Sequence, residues 1–169
     1  MDPQRFLDLA VIPAMSLMPA RIDSPDAHGM LVAIALQETG LLARHQFGGG
    51  PARSYFQFEL PGVSEALWNP STQRHMERVC AALDLSITPA ALQTALEFHD
   101  IAAVCCARLL LWARPEPVAP QHDEDAGWRL YVATWKPGAV THGGARETQA
   151  RARWTRSWTT AWAVVGASS

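Results

Sequence analysis

Apolar positions recur with helical spacing along most of this chain. Ser24-Pro25-Asp26 sets a capping hydroxyl, a first-turn proline and a first-turn acid ahead of MLVAIAL, and Gly40 closes the segment. Those residues match the chemistry of helix ends. Asn69-Pro70 predicts another start ahead of STQRHMERVCAAL, and Thr88-Pro89 another ahead of AALQTALEF. Asp100 is placed to cap IAAVCCARLLLW, which Pro115 and Pro117 stop. Residues 3–18 predict an opening helix that Pro13 must kink or divide, because an interior proline removes a donor and collides with the preceding turn. After the polar loop APQHDEDAG a short helix is expected at GWRLYVATW. A last helix is expected from about 146 to 165, where Trp154, Trp158 and Trp162 recur every four residues. That interval keeps all three on one face, and the stripe reads as core packing.

The stretch from Gln46 to Pro61, QFGGGPARSYFQFELP, breaks the helical period. Gly48-Gly49-Gly50 before Pro51 predicts a turn; it lacks the Lys-Ser/Thr of a phosphate loop. ARSYFQFE then predicts a short extended segment, with Arg53, Tyr55, Gln57 and Glu59 on one side and Phe56 and Phe58 on the other. The expected class is mainly α with a minimal β excursion, in one domain over 1–169.

Composition narrows this only slightly. The chain has 169 residues, 49% apolar and 18% charged with net charge −2, which excludes a disordered chain. A pI near 6.3 gives no global reason to bind nucleic acid. No apolar run reaches the roughly 18 residues of a spanning helix. The N-terminal MDPQRFLDLAVIPAM lacks the basic start and unbroken apolar run of a secretory signal, so synthesis in a cytoplasmic, reducing compartment is expected. Three cysteines, Cys80 and the adjacent Cys105 and Cys106, make a poor disulfide framework and read as small core residues. No metal-ligand spacing occurs, and no cofactor is expected.

Glu38 is the residue whose position invites chemistry. It stands in the last turn of the apolar segment AIALQETG, against the negative end of the helix dipole. If the helix also carries it into a cleft, desolvation opposes its ionisation too. A carboxyl kept protonated near neutral pH can protonate a leaving oxygen.

Glu38-Thr39-Gly40, followed nineteen residues after Glu38 by Gln57 within ARSYFQ, resembles the lytic transglycosylases and goose-type lysozymes of the lysozyme-like superfamily. In that family a helix ends in E-S-G and leads to an A-x-G-L-M-Q segment lining a sugar cleft. Later, DIAAVCCARLLLW is similar to the family's N-I-x-A-G-x-x-Y-L helix, and ATWKPGAV to its A-Y-N-A-G-P-G-x-V segment. The resemblance covers roughly residues 30 to 140. It implies a lysozyme-like fold and cleavage of the β-1,4 bond between N-acetylmuramic acid and N-acetylglucosamine. It makes Glu38 the acid/base, Gln57 the cleft glutamine, and Tyr55 and Phe56 the flanking wall, with Glu59, Tyr131 and Trp135 as further substrate-binding residues. Thr39 replaces the family's Ser, Ser54 its Gly, and Trp135-Lys136 its Tyr-Asn pair, with two residues missing before Pro137-Gly138.

The implied partner is the peptidoglycan glycan strand. A phage or prophage origin is expected, the chain reaching the wall through a lysis pore or within a virion beside other virion proteins. The alternative is a non-catalytic virion or tail-associated structural protein that keeps the fold. Glu59 and Asp100 are the candidates for a second carboxylate, although Glu59 also reads as a solvated charge and Asp100 as a cap. His45 reads as a solvated loop residue. His122-Asp123-Glu124-Asp125 reads as a hydrated acidic run, and Arg146, Arg151, Arg153 and Arg156 as the solvated face of the last helix.

Overall fold

The computed structural model describes residues 1–46, 48–141 and 143–167; Phe47, within the glycine-turn segment, lies outside them. The architecture is mainly α, as the periodicity predicts. Its helices are α1 (Pro3–Phe6), α2 (Ile12–Ser16), α3 (Pro25–Thr39), α4 (Leu60–Trp68), α5 (Gln73–Ala82), α6 (Pro89–Leu96), α7 (Asp100–Trp112), α8 (Glu124–Trp135), α9 (Gly138–Thr141) and α10 (Ala145–Ala167).

Two of them form the centre. In α3, every residue from Gly29 to Ala35 is buried, and in α7 every residue from Ala102 to Leu111 is buried. A helix that is apolar all round belongs inside a protein, and the other helices pack around these two. Ser24 caps α3 as expected, its Oγ accepting from the Ala27 N–H at 3.1 Å. Gly40 ends it in the left-handed conformation at φ 62°, which glycine adopts without steric cost.

Pro13 divides the opening helix by a specific device. Between α1 and α2 the chain makes a π-helical stretch, Leu7–Val11, closed by the Ile12 N–H bonding to the Leu7 carbonyl. The wider turn accommodates the missing proline donor while keeping Phe6, Leu7, Ala10 and Val11 in the core.

Several expected boundaries shift. The helix anticipated from Asn69 starts at Gln73; Asn69 instead turns the chain, its Oδ1 accepting from the Ser71 N–H at 2.9 Å. Asp100 does not cap α7. The His99 ring accepts from the Ala102 N–H at 3.4 Å, and Asp100 grips Arg44 through two bonds of 2.8 and 2.6 Å. Helix α4 lies where no helix was expected. The acidic run is also put to use, because Asp123 caps α8 while Glu124 and Asp125 both pair with Arg151.

The tryptophan stripe packs inward, as its spacing predicts: Trp154, Trp158 and Trp162 are all buried. It also continues beyond α10. Ring centroids run Trp162 to Trp158 at 5.7 Å, Trp158 to Trp154 at 5.6 Å, Trp154 to Tyr131 at 5.0 Å and Tyr131 to Trp135 at 6.3 Å. Each such pair adds about 0.5–1.5 kcal/mol beyond the area it buries. Two glycines make room for the ladder. A Cβ on Gly29 would stand 2.8 Å from the Trp162 ring, and one on Gly127 2.5 Å from the Trp158 ring. The three cysteines are free and buried; burial pushes all three thiols up, Cys105 to about 12, so none is poised as a nucleophile.

Candidate functional site

The segment between Gln46 and Pro61 is not the single extended strand that its alternation predicts. Arg53 and Phe58 pair antiparallel, N–H to carbonyl at 3.0 and 2.7 Å in the two directions, and Ser54–Gln57 form the tight turn between them. A second bridge joins Arg53 to His45. Ser54 and Gln57 carry φ of 66° and 52°, a region costly for residues with a Cβ. Local hydrogen bonds compensate: Ser54 Oγ accepts from the Phe56 N–H at 3.2 Å, and Gln57 Nε2 donates to the Ser54 carbonyl at 3.0 Å. Ser54 thus holds the left-handed backbone that glycine adopts without steric cost.

This turn changes where the predicted side chains point. Tyr55 and Phe56 are both buried, Phe56 completely, and neither lines the cleft that opens beside this hairpin. Tyr55 meets the edge of Phe6 at 5.7 Å between centroids and carries the Arg44 guanidinium 4.5 Å above its ring. Both belong to the core beneath the site. Their placement departs from the cleft-wall role that the resemblance implies.

A cleft of about 480 Å³ does open beside the hairpin. Glu38 lines it from the end of α3, Gln57, Phe58 and Glu59 from the hairpin, and Trp135 from the end of α8. Trp135 forms a wall and leaves the space open. Its indole Nε1 donates to the Phe56 carbonyl at 2.9 Å, and its ring packs 6.1 Å from Phe58. The cleft therefore brings together Glu38, Gln57, Glu59 and Trp135 of the predicted set, with Tyr131 reaching it through Glu38.

The Glu38 carboxyl is held by one bond and the helix end that carries it by another. The Tyr131 hydroxyl donates to its Oε1 at 2.6 Å, and Thr39 Oγ1 donates to the Tyr55 carbonyl at 3.1 Å, fixing the helix end to the hairpin. Burial pushes the Glu38 carboxyl from 4.5 up to about 7. The Tyr131 bond and the positive charge of Arg153 pull it back only in part. Desolvation is thus the dominant cause, and it keeps a substantial fraction protonated at neutral pH. Tyr131 is held protonated in turn, its phenol pushed far upward by burial and by the neighbouring carboxylate.

Helix α4 adds residues that periodicity had missed. Pro61, Gly62 and Glu65 share one face, and all three line the cleft. Glu65 is paired with Arg114. Pro61 stands in the first turn of α4, as Pro25 does in α3, although Glu59 before it makes no side-chain cap, and that proline was the available signal. Asp100 lies away from the cleft, while Glu59 is exposed on its edge. His45 is exposed and faces Glu97 at 3.3 Å. Among the described residues no group of three or more His, Cys, Asp or Glu side chains could hold a metal, and no helix is long and apolar enough to cross a membrane. Comparison of the chain with protein-family models, curated proteins and solved structures finds no match.

Proposed function

We propose that this chain is a peptidoglycan-cleaving enzyme of the lysozyme-like kind. It acts as a muramidase or lytic transglycosylase on the β-1,4 bond between N-acetylmuramic acid and N-acetylglucosamine. One observation carries the reading: Glu38 lines an open cleft with its carboxyl raised to about 7 by burial and held at 2.6 Å by Tyr131. A general acid works best when its pKa lies near the operating pH, and a half-buried, desolvated glutamate lining a groove meets that requirement.

In this mechanism Glu38 gives its proton to the glycosidic oxygen as the C1–O bond breaks. The resulting carboxylate, stabilised by the Tyr131 hydroxyl, then takes a proton from the oxygen that attacks C1. That oxygen is the muramoyl 6-hydroxyl in a transglycosylase and water in a hydrolase. Hydrolytic glycosidases generally use a second carboxylate. Here the acids lining the cleft besides Glu38 are Glu59, exposed on its edge, and Glu65, committed to Arg114. One well-placed carboxyl favours the intramolecular route. Trp135, half-buried and backed by the buried Phe58 ring, gives the cleft an apolar surface suited to a sugar face. The glycan strand is the substrate, and a phage or prophage context, with delivery through a lysis pore or a virion, is part of the proposal.

The decisive experiment incubates purified wild type and Glu38→Gln with isolated peptidoglycan and separates the released fragments. Release by wild type alone is expected, with anhydro ends for transglycosylation or reducing ends for hydrolysis. Equal release by both proteins removes Glu38 from the mechanism. Absence of release by either favours a virion structural role.

A further inference from the structure

A second cleft, of about 450 Å³, lies between the start of α3 and the end of α7. Three arginines line it: Arg21, Arg108 and Arg114. Arg108 is only 4% exposed, on a helix otherwise buried in apolar surroundings. Its Nε donates to the Ile22 carbonyl at 2.9 Å, while its Nη1 is buried with no acceptor. Arg114 gives one terminal nitrogen to Glu65, and its Nε is likewise buried without an acceptor. The Arg21 guanidinium lies 5.2 Å from the centre of the Trp112 ring, which lines the same cleft.

Buried donors in native proteins are almost always satisfied, so each exception calls for an explanation. The acids nearby do not supply one. Asp26 and the exposed Glu116 line the cleft, and Asp23 lies close enough to act on Arg108 electrostatically, yet none of them bonds Nη1. Asp23 is engaged by His28 at 2.6 Å. Burial also pulls the Arg108 guanidinium down to about 10, which still leaves it charged near neutral pH. A guanidinium presents its donors as a rigid planar fork that matches the oxygens of carboxylate and phosphate groups.

We propose that this second cleft binds a small oxyanion, a phosphate or carboxylate group, between the guanidinium groups of Arg108 and Arg21, with Arg114 lining the same cleft and any apolar part of the ligand resting on Trp112. The site is separate from Glu38 and does not depend on the glycan-cleaving reading. Its ligand is a small molecule or solute carrying one such group, taken from solution into a preformed pocket rather than across a flat surface.

The test titrates inorganic phosphate, and separately acetate, into isotope-labelled full-length protein at ionic strength held constant with chloride. The Trp112 indole N–H and the arginine Nε–H signals are followed by NMR. The expected result is a saturating shift of the Trp112 and Arg108 signals with a Kd of about 1 mM or tighter for at least one of the two anions. Saturation by phosphate alone assigns a phosphate site, and by acetate alone a carboxylate site. Arg21→Ala, on the exposed rim, should weaken binding at least tenfold, and Arg108→Met should abolish it. Should Arg108→Met fail to fold, Arg21→Ala still decides the matter. Absent or non-saturating shifts overturn the proposal, as does binding undiminished in Arg21→Ala.

Discussion

The Tyr131 hydroxyl stands 2.6 Å from Glu38 Oε1 and donates to it, across 93 residues of sequence. The bond opposes the effect of burial by favouring the ionised carboxylate. Tyr131→Phe should therefore raise the Glu38 pKa above its value of about 7. A hydrogen bond to a charged group is worth about 1.5–3 kcal/mol, so the shift should be roughly one to two pH units. In the proposed enzyme the alkaline limb of the pH–rate profile moves upward by that amount. Carbon-13 NMR titration of the Glu38 carboxyl reads the same shift without requiring activity. An unchanged titration would remove Tyr131 from the tuning of Glu38.

Glu38 also couples stability to pH. Its carboxyl ionises near 4.5 when unfolded and near 7 when folded, so between those values the folded state holds more protons. The contribution of Glu38 is therefore fully favourable below 4.5 and is lost as pH rises through 7. The loss is on the order of 3 kcal/mol. Glu38→Gln carries no titrating group and should escape it. Urea unfolding at about pH 5 and about pH 8 should find the variant's advantage over wild type growing by up to about 3 kcal/mol at the higher pH.

Arg44 and Asp100 form a two-bond pair outside the cleft, with Arg44 resting on the Tyr55 ring. Asp100→Ala should lower stability by about 1–3 kcal/mol, since Asp100 is the more buried partner and Arg44 loses both its bonds. Glycan release at a temperature where the variant stays folded should persist. Complete loss of release in a fully folded Asp100→Asn protein would instead make Asp100 part of the chemistry.

Glycine substitutions along the aromatic ladder should separate packing from propensity. Gly127→Ala places a methyl 2.5 Å from the Trp158 ring and should destabilise by about 1–3 kcal/mol. Gly166→Ala, near the end of α10 with nothing within 4 Å, should be neutral or stabilise by up to about 1 kcal/mol. Thermal unfolding of the two variants provides the comparison. Equal melting temperatures would mean that the indole yields without cost.

The helical architecture was legible where end signals and burial agree. Ser24, Pro25 and Gly40 bracket α3 because a capping hydroxyl, a fixed proline φ and a left-handed glycine are local requirements. Glu38 was legible for the same reason, since its place in the last turn follows from Gly40. The hairpin was not. Alternation assumes an extended backbone, and left-handed Ser54 and Gln57 turn Tyr55 and Phe56 into the core together. Pairings such as Glu65 with Arg114, Arg44 with Asp100 and Tyr131 with Glu38 join residues 49 to 93 positions apart. No local pattern encodes them, because the packing of the helices alone decides which side chains meet.

The aromatic ladder has an optical consequence. Five rings from Trp162 to Trp135 stand at centroid spacings of 5.0–6.3 Å, close enough for their excited states to couple and give a signed near-ultraviolet circular dichroism band. Its terminal ring forms a wall of the cleft. Occupation of that cleft should thus be visible in the protein's own spectrum, and Trp135→Phe should silence the signal while leaving the ladder from Trp162 to Tyr131 to report folding.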